Sequence, residues 1–177
     1  MKIKHLIPIF ILLAIGTFSS CNLFDKAGDI TFQAELPLPF NVNETADNPS
    51  GKTYTDSKLL DASSNPDVAK YASKIKEFKV NKITYTISGV SDGSVTFTNG
   101  TLKVASSGKT IASASSVNLG SSAETELTAD ANGFNELASL LLADKQELVQ
   151  VQGSLSKTPV AFTVNFKFFV TITANAL

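Results

Sequence analysis

Tryptophan and arginine are missing altogether from this chain, while cysteine and histidine occur once each, as Cys21 and His5. Everything after Cys21 therefore lacks both imidazole and thiol. That excludes Ser-His-Asp and Cys-His nucleophilic catalysis from the body, together with zinc sites built on thiolate or imidazole and thiol redox chemistry. All fifteen basic residues are lysines, and no lysine cluster is interleaved with aromatics. The phosphate-neutralising footprint of a nucleic-acid binder is thus missing, and nucleic acid is not expected as a partner. Charge is also scarce: once Lys2 and Lys4 are set aside, thirteen lysines face sixteen acids. With 43% hydrophobic and 18% charged residues, the chain is too apolar for disorder and too polar for repeated membrane spans.

The longest apolar run stands at the beginning. Lys2 and Lys4 precede Leu6 to Ile15, interrupted only by Pro8, and the run gives way to Phe18-Ser19-Ser20-Cys21. About ten residues fall well short of the ~20 that a spanning helix needs. A basic start, a short apolar stretch, two small residues and then the sole cysteine resemble a bacterial lipoprotein signal peptide. Phe18 stands where that family usually carries leucine. The resemblance covers residues 1–21 and implies cleavage before Cys21, with Cys21 lipidated. Two or three acyl chains, at ~0.8 kcal/mol for each buried methylene, make such attachment effectively permanent. The expected organisation is a signal peptide over 1–20, a lipidated tether over 21–28 and a single domain over 29–177. The expected place is the bacterial cell envelope, with the periplasmic face of an outer membrane preferred to the cell surface because no long acidic run follows Cys21.

Ile30, Phe32, Ala34, Leu36, Leu38, Phe40 and Val42 occupy every even position, which predicts a strand with one buried face. Pro37 and Pro39 fall on its outward phase and predict a sheet edge or a break. Residues 43–64 show no period and read as a long loop. Asn65-Pro66-Asp67 is a helix start, combining a side-chain cap, a proline whose absent N–H costs nothing and an acid at the positive dipole end. Val68, Tyr71, Ala72, Ile75 and Phe78 follow it at helical spacing. Ile83, Tyr85 and Ile87 run opposite in phase to Phe78 and Val80, so a bulge or a helix exit near Asn81 is expected.

Asn99-Gly100 predicts a two-residue hairpin pairing Phe97 with Leu102 and Val95 with Val104. A strand around 110–119 follows, then a helix from Asn132 or Gly133 bearing Phe134, Leu137, Ala138, Leu140 and Leu141, with Lys145 at its negative end. Val149 to Leu155 and Val160 to Ile172 alternate, and a loop over Ser156 to Pro159 predicts a second hairpin with Val151 against Val164 and Gly153 beneath Phe162. Seven or eight strands with two short covering helices predict an all-β, antiparallel β-sandwich of jelly-roll or immunoglobulin-like topology. The alternative is an α+β sheet with both helices on one face.

The local acidic groupings are Glu44 with Asp47, Glu124 with Glu126, and Asp130 with Asn132. A helix cap accounts for the last of them better than calcium does. Most phenylalanines fall in strand phase and read as core rather than as sugar platforms. No catalytic residue, metal or cofactor is expected. The function expected is a membrane-anchored, non-catalytic binding or structural domain that engages a protein or glycan. Two alternatives stand beside it: a carrier holding lipid between the sheets, and a carboxylate-dependent hydrolase. An apolar cavity above ~300 Å³ favours the carrier, whereas two carboxyls facing across a cleft favour the enzyme.

Overall fold

The computed structural model describes residues 28–175. Phe18, Ser19, Ser20 and Cys21, which carry the lipoprotein resemblance, lie outside them. Nine strands and two α-helices follow in chain order: β1 Asp29–Asn48, β2 Lys52–Asp61, α1 Pro66–Tyr71, β3 Ile75–Ser88, β4 Thr96–Val104, β5 Thr110–Asn118, β6 Thr125–Glu126, β7 Thr128–Ala129, α2 Ala131–Asp144, β8 Gln146–Leu155 and β9 Thr158–Asn175. They form two antiparallel sheets, one ordered β1-β9-β3-β6 and the other β2-β8-β4-β5-β7.

The pairings are nested. β4 pairs with β5, β3 with β6, β2 with β8 and β1 with β9, as if one long hairpin were folded over so that alternate pairs entered opposite sheets. That winding is the jelly roll, and it decides between the two sandwich topologies expected. β7 is an extra edge piece beside β5.

β1 keeps the alternation foreseen for it, with Leu36, Leu38, Phe40 and Val42 buried and Pro37 and Pro39 exposed. Amides of alternate residues point to the same side, so the two prolines delete donors from a single edge. β1 is an edge strand, and the side away from β9 is where missing donors cost nothing. β9 lies at the centre of its sheet, paired with β1 and β3, and buries its even-numbered side chains from Val160 to Ala174. β3 switches phase at a bulge between Val80 and Lys82, as expected.

The helix starts also hold. Asn65 Oδ1 accepts from the Asp67 and Val68 amides, at 3.0 and 3.3 Å, and caps α1. Asp130 Oδ1 accepts from Gly133 N at 2.8 Å and caps α2. Phe134, Leu137 and Leu141 of α2 are buried where it packs on β3 of one sheet and on β5 and β8 of the other. α1 is shorter than its spacing suggested: a 3₁₀ turn over Ala72–Lys74 ends it, and Ile75 and Phe78 belong to β3.

Three expectations are corrected. Residues 43–64 are not a loop: β1 continues to Asn48, a tight turn with Gly51 at φ +83° follows, and β2 runs from Lys52. β2 is an edge strand that buries only Tyr54 and Leu60, so its backbone pairing with β8 leaves almost no apolar rhythm to read.

Asn99-Gly100 does not turn the chain. Asn99 takes its positive φ of 52° in a bulge while β4 runs on through it, and the reversal comes over 105–109, where Gly108 has φ +73°. Phe97 therefore pairs with Val117 and Leu155, and Leu102 with Ala112 and Val151.

Finally, β8 and β9 form no hairpin. Ser156 and Lys157 carry the chain from one sheet to the other, so the two alternating faces meet across the core instead of side by side. Gly153 lies opposite Tyr54 and is covered by the Phe97 ring, not by Phe162; an added Cβ would come within 2.3 Å of that ring.

Candidate functional site

Between the sheets there is almost no space. A cavity of about 40 Å³, lined by Val42, Tyr54, Phe97, Leu102, Val151 and Phe166 among others, has room for a few water-sized bodies and offers them no polar lining. Tyr54 closes one side of it, its hydroxyl 3.3 Å from Asp56 Oδ2. Burial, reinforced by the Asp56 carboxylate, pushes the Tyr54 phenol well above its ordinary range.

The larger space is on the outer face of the four-stranded sheet, where a groove of about 500 Å³ is bordered by Gln33 and Glu35 of β1, Asn81 and Lys82 of β3, Glu126 of β6, and Phe169 and Thr171 of β9. Register explains its composition. In β9 the odd positions face outward, and they read Ala161, Thr163, Asn165, Lys167, Phe169, Thr171 and Thr173. Phe169 is the one aromatic among them. Its cross-strand neighbours are Glu35 on β1 and Lys82 on β3, while Thr171 pairs with Gln33.

The bulge in β3 adds a second outward side chain at this point. Asn81 has no residue opposite it and donates from Nδ2 to Thr171 Oγ1 at 2.8 Å. Lys82 follows immediately, its Nζ 4.6 Å from the centroid of the Phe169 ring. Bulges re-aim side chains in this way, here placing an amide and an ammonium over one phenyl-floored patch.

At the β3 side, Glu124 accepts from Thr84 Oγ1 at 2.7 Å and stands 3.7 Å from Lys167 Nζ. The Thr84 hydroxyl, then the neighbouring Lys167 and Lys82, hold its carboxyl below the usual range.

The acidic groupings noted in the sequence separate. Glu44 is paired with Lys52 at 2.6 Å near the β1–β2 turn, and Asp47 is exposed. Glu124 is tied to Thr84, while Glu126 borders the groove. Asp130 serves as the α2 cap. Among the described residues no group of three or more His, Cys, Asp or Glu side chains converges on a metal-sized space. The groove residues Gln33, Glu35, Asn81, Lys82, Phe169 and Thr171 were not singled out from the sequence. A signal for them was present in the lone phenylalanine on the polar phase of β9 and in the phase switch at Asn81.

A scan against protein-family models finds no match, and a search among curated proteins finds none either. Among solved structures, the chain is similar to the decameric BFDV capsid protein, at 9% identity and a TM-score of 0.48, over 81% of this chain and 98% of that one. It is also similar to a Desmodium yellow mottle tymovirus structure, at 13% identity and a TM-score of 0.39, over 99% and 97% of the two chains. Both scores are under one half, and the fold assignment rests on the strand order.

Proposed function

We propose that this protein is a lipid-anchored component of the bacterial cell envelope, acylated at Cys21, whose jelly-roll domain is a non-catalytic binding module. The anchor rests on the leader pattern that ends at Phe18-Ser19-Ser20-Cys21. The binding half rests on one contrast: about 40 Å³ between the sheets against about 500 Å³ on the outer face. An acyl chain needs several hundred Å³ of apolar enclosure, so the filled core favours a surface binder over a lipid carrier.

Hydrolysis has less in its favour. Glu35 and Glu126 both border the groove, but β1 and β6 are three strand spacings apart, about 14 Å between backbones, with Phe169 and Lys82 in between. The test of the anchor is metabolic labelling of the full chain with a fatty acid in a bacterial host. Label and detergent partitioning are expected for the wild type and neither for Cys21→Ala; a Cys21→Ala chain that keeps both refutes the anchor.

A further inference from the structure

We infer that the outer groove over Phe169 is a subsite for a neutral, hydroxyl-rich oligosaccharide. This deepens the binding-module reading and rests on it. A sugar ring has an apolar C–H face and a rim of hydroxyls, so a site for it needs an aromatic floor surrounded by paired donors and acceptors. The groove supplies both. Phe169 is the floor, and around it stand the Gln33 and Asn81 amides, the Thr171 hydroxyl, the Glu35 and Glu126 carboxylates and the Lys82 ammonium.

Two observations point away from an ordinary polar sheet face. Every other phenylalanine in the alternating run of β9 faces the core, as Phe162, Phe166 and Phe168 do, whereas Phe169 occupies a position that its neighbours fill with Thr, Asn or Lys. The β3 bulge then interrupts the ladder at this row and turns Asn81 and Lys82, two consecutive residues, to the same side.

Charge selects the ligand class. Two carboxylates and one ammonium border the groove itself, a net negative balance that disfavours phosphates and acidic glycans as its occupants. Lys82, now over the ring, moves aside when a sugar takes its place, and its long stem lets the ammonium reach a hydroxyl at the rim.

The test is saturation-transfer NMR on the full chain with hexasaccharides of glucose, mannose, xylose and galactose as probes, followed by titration of whichever binds. An oligogalacturonate and an unstructured peptide pool serve as competitors of other chemistry. At least one neutral hexasaccharide is expected to bind. Phe169→Ala is expected to weaken it tenfold or more and Gln33→Ala several-fold, with the thermal midpoint of Phe169→Ala close to wild type because the ring is not in the core. Binding that survives Phe169→Ala unchanged, or binding only by the acidic sugar or the peptides, overturns the inference. So does silence from all four neutral probes on a folded chain. Mass spectrometry of the recovered sugars separates the two levels of the argument: intact sugars agree with binding alone, whereas cleaved sugars refute the non-catalytic reading itself. A chain that is acylated yet ignores every sugar loses only the subsite.

Discussion

Gly153 and Phe97 show how one side chain can be dictated by the lack of another. The Phe97 ring lies where a Gly153 Cβ would be, and it also presses on Gly100, whose Cβ position is 3.1 Å from the ring. Gly153→Ala should therefore cost about 1–3 kcal/mol through overpacking. Phe97→Ala, which truncates a half-buried ring, should cost about 2 kcal/mol by enlarging the cavity it walls. The double variant should cost clearly less than the sum, because an alanine at 153 fills part of the space the ring vacates. Urea unfolding of the four proteins measures that coupling; strict additivity would show that the ring does not cover Gly153. Alternation in β8 and β9 foretold an aromatic cover for this glycine but assigned it to Phe162, where the structure has Phe97. The cover comes from β4, a neighbour that the local pattern of β8 does not name.

Capping and phase act within a single element, so they were legible. Asn65 and Asp130 start their helices because each offers an acceptor where helical amides have none. Asp130→Ala should remove about 1 kcal/mol of stability, readable in the same unfolding assay, and Asp130→Ser should restore most of it. Gly133, three residues on, is constrained differently. Its Cβ position lies 1.9 Å from the Thr110 carbonyl oxygen, so α2 can approach β5 this closely only with glycine there.

β2 and the Asn99 bulge were not legible. β2 is held by backbone pairing rather than by buried side chains, and Asn-Gly favours a positive φ without saying whether a turn or a bulge uses it. The outer groove was half legible. The outward phenylalanine and the phase switch at Asn81 can both be read in the sequence, but only the pairing of β9 with β3 brings them together.

Across the whole molecule, the polar exterior makes stability depend on acid. Asp92 is held below the usual carboxylate range by Lys157, with help from Ser94; Glu124 is held down by Thr84, and Glu136 by Ser107 and Lys109. A carboxyl with a depressed folded-state pKa contributes stability that is present above its unfolded value and is lost as pH falls through the folded one. Stability should therefore be level from about pH 8 to 5 and decline below about pH 4, the unfolded carboxylate range. Thermal midpoints across that series check it, and a decline that begins above pH 6 would contradict this account. All three groups lie at the surface, Glu124 exposed and Asp92 and Glu136 partly so, and the slope should flatten in 0.5 M salt, where the Debye length is only a few Å.

Local pattern is enough to say which face of β1, β3, β8 and β9 is buried and, to within a residue or two, where both helices begin, and it favours an antiparallel sandwich over an α+β sheet. Those properties follow from the two-residue period of a strand and from local satisfaction of helix-end amides. Which strands are neighbours, that β8 and β9 part into different sheets, and that Phe169, Asn81 and Lys82 meet on one outer face are settled by packing in three dimensions. Burial has no direction, and backbone pairing carries no label. A face of alternating apolar residues is equally content beside its sequence neighbour or across the core from it, and the nested winding of all the strands together selects the second.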